Sequence, residues 1–210
     1  MFDFPTLVSY FAAALLLAIA PGPGQMLVLA RSIGGGRRVG VATALGLCVG
    51  SLVHTCAAAF GLSALLTRSA GLYALVQYLG AAYLIFLGLK ALRSKSEALA
   101  SEVDAKRTGF PRAVARGAVT GILNPKVALF FLAFLPQFVR PARGHVLLQF
   151  AMLGLLFCVL ALLADTAVAL AAGRLAGTLR RNPWWAVWRE RAVGAVLVTL
   201  GLRLALQRRA

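Results

Sequence analysis

Apolar positions in this chain are gathered into long runs separated by short, basic gaps. Residues 4–30, 39–67 and 69–89 contain no Asp, Glu, Lys or Arg; residues 117–139 contain only Lys126 and residues 144–173 only Asp165. A last run, residues 192–207, is shorter and carries Arg203. A helix crosses ~30 Å of hydrocarbon with about 20 apolar residues, so five runs are long enough and the sixth is marginal. The pattern predicts an all-α integral membrane protein with six transmembrane helices. A spanning β-barrel would show ~10-residue segments of alternating polarity, and none is present. The first run does not read as a signal peptide either, because Asp3 precedes it without any Lys or Arg and its apolar stretch is too long.

Composition supports this reading. The chain is 60% apolar and 13% charged, with mean hydropathy +0.84. A soluble fold cannot cover that much hydrocarbon with polar surface. A disordered tail, a secreted disulfide scaffold and an ordinary cytosolic enzyme are therefore excluded.

The net charge of +16 changes the picture in a different way. In a soluble chain it would suggest nucleic acid. Here the Lys and Arg residues lie in the gaps, where orientation and lipid phosphates account for them, and no nucleic-acid partner is expected. The gaps after the first, third and fifth runs hold 15 of the 22 basic residues, and the opposite side holds 6. The positive-inside rule predicts those three gaps in the cytoplasm and both termini outside. If the short sixth segment does not span, the C-terminus changes sides. Trp184, Trp185 and Trp188, just before it, read as interfacial anchors. The polar stretch 93–112 is expected to be a cytoplasmic loop between two three-helix repeats, residues 1–92 and 113–210, of a single membrane domain.

Two of the runs are interrupted internally. The first contains Ala20-Pro21-Gly22-Pro23-Gly24 and the fourth Leu123-Asn124-Pro125-Lys126. Proline removes a backbone donor and clashes with the preceding turn, and glycine adds freedom, so both helices should break. Freed backbone groups are costly in hydrocarbon, so each break must face protein or a cavity. Pro23 and Pro125 lie 102 positions apart, near half the chain, and similar apolar runs come after both. Three helices per half make the halves antiparallel. The pattern predicts a 3+3 inverted repeat with broken first and fourth helices, an architecture common in secondary transporters. Helix restarts after Pro23 and Pro125 would present N–H groups and positive dipole ends to an anion such as a carboxylate.

Charges at bilayer depth are costly and mark function by default. Lys126 can attract a substrate carboxylate or carry a proton; the structural alternatives are snorkelling and a bond to backbone carbonyls. Asp165, the one acidic residue within a span, can hold a substrate ammonium, carry the coupling proton or neutralise Lys126. His54 is a candidate proton relay or a packing residue. Gln25 and Asn124 supply neutral polar groups at the breaks. The substrate-binding candidates are thus Pro21, Gly22, Pro23, Gln25, Asn124, Pro125 and Lys126, and the proton-coupling candidates Asp165 and His54. Gly36, Gly40, Gly46 and Gly50, with Gly80 and Gly88, have spacing suited to close helix packing. Cys48, Cys56 and Cys158 fit no metal or redox spacing. No catalytic residues, metal site or cofactor are expected.

Taken together, Pro21-Gly22-Pro23, the glycine-rich segment GRRVGVATALGLCVGSLVH, Gln77-Tyr78-Leu79-Gly80-Ala81-Ala82-Tyr83-Leu84 with Leu87-Gly88, and Gly121-Ile122-Leu123-Asn124-Pro125-Lys126 resemble the LysE/RhtB amino-acid exporter family. The resemblance extends from the first span to about Phe138. It implies a small bacterial inner-membrane protein that exports amino acids or close derivatives, driven by the proton gradient, with a homodimer as a candidate assembly. One departure is visible: relatives often place Asn or Asp after Pro-Gly-Pro, where this chain has Gly24-Gln25. The rival readings are a CcdA-type thiol-redox protein, which would need a cysteine at each break, and a non-transporting membrane scaffold, which gives no reason for Lys126 and Asp165 at depth.

Overall fold

The computed structural model describes residues 2–20, 22–64, 70–93 and 109–181, with short helical stretches between 191 and 206. Regular structure among the described residues is entirely helical: α1 (Phe4–Ile19), α2 (Pro23–Gly35), α3 (Arg37–Ala57), α4 (Ala70–Arg93), α5 (Phe110–Ile122), α6 (Pro125–Leu129) and α7 (Val146–Arg181). A wide π turn over Ala58–Leu62 extends α3. Another over Phe130–Phe134 extends α6 and tightens into a 3-10 turn at Leu135–Phe138.

The helix boundaries reflect local chemistry. Asp3 caps α1 by accepting from Thr6 N at 3.0 Å, and Pro5 sits in the first turn where its missing N–H does no harm. Prolines also begin α2 and α6, as expected of both breaks. Two helical stretches, Arg37–Leu62 and Val146–Ala172, are long and apolar enough to cross a membrane. The α1–α2 pair, bent by 49°, and the pair from Phe110 to Phe138, bent by 46°, pass the same test when each is taken as one span. The chain is a multi-pass membrane protein.

One face of α7 shows how the molecule meets lipid. Leu148, Met152, Leu155, Val159 and Leu163, three or four residues apart, are about half exposed, whereas Phe150, Leu153, Phe157 and Leu160 are buried. An outward apolar stripe of that length is stable in hydrocarbon and not in water. The helix also outlasts its apolar run. Residues 174–181, expected to start a basic gap, continue α7 to a total of 36 residues.

Helix α3 packs closely against α5. Gly46 and Gly50 face Gly117 and Gly121, two pairs of glycines four apart. A Cβ on Gly50 would lie 2.5 Å from the Gly121 carbonyl carbon, and one on Gly121 2.9 Å from the Leu47 carbonyl oxygen. Spacing alone marks the first pair as a packing feature; the second pair is its partner. Beside this seam, an aromatic cluster fills the space between α1, α6 and α7. Phe130 stacks on Phe157 (4.6 Å between centroids), Tyr10 meets Phe138 edge-on (5.1 Å), and Tyr10 Oη donates to Leu153 O (2.6 Å).

Past the aromatic cluster, toward the N-termini of α1 and α7, lies a polar clasp. Buried Gln149 accepts from Arg140 N (2.9 Å) and donates to the carbonyls of Arg140 (3.0 Å) and Gly144 (2.7 Å). The loop so held aims Arg140 and Arg143 at Asp3, with ion pairs of 2.8 and 3.0 Å. The tryptophans expected at the interface, half of the sixth segment and most of the 93–112 loop lie outside the described residues.

Candidate functional site

The first break leaves carbonyl oxygens that the backbone cannot satisfy. In a continuous helix Leu17 O would accept from residue 21 and Ile19 O from residue 23, but both are prolines. The last turn of α1 is closed by Ala20 N donating to Leu16 O (2.9 Å). Two side chains from elsewhere take the carbonyls beyond. Gln25 Nε2 donates to Ala18 O at 2.6 Å, and Lys126 Nζ donates to Leu17 O at 3.0 Å and Ala20 O at 2.6 Å. Lys126 thus reaches from one break to the other, across 106 residues of sequence.

The second break is satisfied locally. Leu123 N donates to Val119 O (3.0 Å) and Asn124 N to Gly121 O (3.2 Å), the carbonyl that Pro125 could not serve. The Asn124 side chain then caps α6, accepting from Lys126 N at 3.1 Å. This cap sets the direction in which the Lys126 side chain leaves the backbone.

Around Lys126 lies a cavity of about 30 Å³. Its walls are Leu17 and Ala18 of α1, Gly24 and Gln25 of α2, Leu47 and Ser51 of α3, Gly121 of α5, Asn124, Lys126 and Val127 at the second break, and Phe157, Ala161 and Asp165 of α7. That volume admits a water or two. Lys126 and Asp165 are each 8% exposed. They act on each other through space, with Gln25 also within reach of the Asp165 carboxylate, and make no direct ion pair. The cavity wall therefore carries one buried basic and one buried acidic side chain that are not paired directly with each other, an arrangement a zwitterion could bridge.

The expected residues are distributed unevenly. Gln25, Asn124, Lys126 and Asp165 line the cavity together. Gly22 stands behind the Lys126 side chain, where a Cβ would lie 3.3 Å from Nζ. Pro23 and Pro125 shape the breaks without lining the cavity, and Pro21 lies outside the described residues. His54 is not in the wall. Its ring stacks on Phe131 (5.9 Å), and its Nε2 is buried without a hydrogen-bond partner among the described residues.

Ser51 was missed by sequence reasoning. It belongs to a stripe, Thr43, Leu47, Ser51 and Thr55, at four-residue spacing along α3. Its three hydroxyls donate to carbonyls one turn back, at 2.9, 3.3 and 2.9 Å. That periodicity of small polar residues was the available signal. Leu17, Ala18 and Phe157 carried none, because apolar wall residues look like any others in an apolar helix.

The sequence model of the family described as "LysE type translocator" matches residues 15–208. A homoserine/homoserine lactone efflux protein of Salmonella typhimurium is 30% identical over 202 residues, covering 96% of this chain and 97% of that protein. An uncharacterized membrane protein of Pseudomonas aeruginosa is 30% identical over 201 residues, covering 94% and 93%. One of Bacillus subtilis is 31% identical over 166 residues, covering 75% and 79%. No solved structure matches the chain.

Proposed function

We propose, from the premise that this chain belongs to the LysE type translocator family, that it is a secondary transporter exporting amino acids or close derivatives across the bacterial inner membrane. Membership makes it a transporter and not an enzyme. The observation that carries the amino-acid reading is the cavity itself, where buried Lys126 and Asp165 face the same space at the meeting point of two broken helices. An amino acid presents one carboxylate and one ammonium, and this wall offers one charge of each opposite sign. The name of the Salmonella relative supports the same substrate class.

In this reading the substrate carboxylate pairs with Lys126 near the helix restarts after Gly22 and Asn124, and its ammonium turns to Asp165 and the α1 carbonyls. Gln25 and Ser51 supply hydrogen bonds to the remainder. The halves form a 3+3 inverted repeat and rock about the α3–α5 seam; the paired breaks with bends of 49° and 46° support that symmetry. The aromatic cluster and the Asp3–Arg140–Arg143 clasp close the external side, consistent with the distribution of basic residues. Export is driven by protons, with Asp165 as the carrier. His54, outside the wall, is the weaker of the two candidates.

Efflux from cells loaded with a panel of dipeptides, hydrolysed inside to free amino acids, tests this reading. Cells carrying the protein should release one or a few amino acids faster than cells without it, and an uncoupler should slow that release. Asp165→Asn should remove most of the uncoupler-sensitive part. Equal release with and without the protein, once it is shown to reach the membrane, would overturn amino-acid export. Release unaffected by an uncoupler would overturn proton driving alone.

A further inference from the structure

The carbonyls of Leu17 and Ala20 lie at the end of α1, where the helix dipole is negative; Pro21 removes the donor that Leu17 O would have had, and Ala20 O lies past the last turn, at the C-cap. They converge on one nitrogen, Lys126 Nζ, at 3.0 and 2.6 Å. Asp165 lines the same cavity. Two carbonyl oxygens and a nearby carboxylate make a seat for a primary ammonium, which has three donors and no acceptor. A lysine side chain and an amino acid each carry such a group.

We propose that the Lys126 ammonium is a tethered stand-in for the substrate's own amino group: it fills the Leu17–Ala20 seat when the carrier is empty and vacates it when an amino acid binds. This rests on the export reading above and adds how the carrier returns. A proton-driven exporter must traverse its cycle with an amino acid bound in one direction and empty of amino acid in the other. If the seat were bare during the return, orphaned carbonyls would be held in apolar surroundings at a cost. The tethered ammonium removes that cost without a second substrate. On loading, the incoming amino group takes the carbonyls, and the displaced lysine head turns to the substrate carboxylate. The 30 Å³ cavity is consistent with this exchange, because it has no room for an amino acid while Lys126 holds the seat. Gly22 is what lets the lysine pass: its missing Cβ would stand 3.3 Å from both Cε and Nζ.

The test compares net efflux with exchange in liposomes containing the full-length protein, using radiolabelled amino acids that include L-homoserine. Net efflux requires the empty return; exchange, with saturating amino acid on both sides, does not. In Lys126→Met both rates fall, but the ratio of net efflux to exchange should fall by about tenfold or more, as expected when an orphaned buried carbonyl is added to the return barrier. Ethylammonium added to Lys126→Ala should restore part of the lost ratio by filling the seat. If Lys126→Met does not accumulate in the membrane, Lys126→Arg, which keeps the charge and donors in a wider head, is read by the same ratio and should lie between. An unchanged ratio, or loss of exchange altogether, overturns the stand-in role and leaves Lys126 a substrate ligand or a packing residue. Wild-type protein that performs neither efflux nor exchange would instead overturn the export reading.

Discussion

The first break, between Ile19 and Pro23, and the second, between Ile122 and Pro125, restart their helices with proline in the first turn, yet they settle their loose backbone groups in different ways. At the second break, Leu123 and Asn124 still carry N–H groups, so the preceding helix closes on itself, and Asn124 caps α6. At the first break, proline at 21 and 23 leaves carbonyls without local donors, and Gly22 has no side chain to cap α2. Lys126, from the other break, takes Leu17 O and the neighbouring Ala20 O, and Gln25 takes Ala18 O. A break that completes itself is a fixed joint. One that depends on a mobile side chain can change partners, and the candidate substrate seat lies at the dependent one.

The surroundings repeat the contrast. The seam that anchors α5 below the second break is backbone against backbone, whereas Gly24 beside the first break faces the Leu47 methyl groups at 3.1 and 3.2 Å. Gly46→Ala would drive its Cβ into the Val114 carbonyl and to 2.7 Å from Ala118 N, neither of which can move without the helix. The expected loss is about 1–3 kcal/mol or more. Gly24→Ala, meeting only the ends of the Leu47 and Asn124 side chains, should lose less than half as much. Unfolding midpoints in detergent compare the two, and equal losses would remove the distinction between a rigid and a yielding side.

A smaller effect separates the two kinds of satisfaction. Gln25→Leu leaves Ala18 O without its donor in a buried site, at about 1–3 kcal/mol. Asn124→Ala removes a helix cap, at about 0.5–2 kcal/mol. Their consequences for transport should diverge more than their stabilities: Gln25→Leu lowers apparent affinity through the cavity wall, and Asn124→Ala misdirects Lys126 and lowers the maximal rate. Efflux measured across a range of internal amino-acid concentrations checks this, and the opposite assignment would contradict the division of labour between the breaks.

The smallest effect concerns the clasp, far from either break. The Thr6 hydrogen bonds, and then the charges of Arg140 and Arg143, hold the Asp3 carboxyl below its ordinary 3.8. A depressed value means that the ionised form is favoured by the fold. The contribution is present above 3.8 and disappears as pH falls through the lower folded value. Asp3→Asn keeps a helix-capping side chain but loses the ion pairs. The small difference in unfolding midpoint between wild type and Asp3→Asn should be flat across neutral pH and close only in acid below 3.8. A difference that changes near neutrality would assign the pH response to another group.

Much of this architecture can be read from the residues in order. Runs without charges mark the helices, because hydrocarbon tolerates little else. Pro21, Pro23 and Pro125 mark the breaks, because a residue without an N–H cannot continue the ladder whatever surrounds it. Lys126 and Asp165 are singled out by the expense of charge at depth. These are local or solvent-imposed constraints, so a sequence states them directly.

The answer to each constraint is not local. That Leu17 O and Ala20 O find their donor in Lys126, that Gly46 and Gly50 meet Gly117 and Gly121, that Ser51 enters the cavity wall and His54 turns to Phe131 instead, are outcomes of which helices lie side by side. Proline dictates that a carbonyl will lack its donor, but any buried donor within about 3 Å can serve it, and distance in space has no signature in the order of residues. The sequence by itself determined where the helices break and which charges must be accommodated. Only the tertiary structure decided that the charge at one break would complete the other.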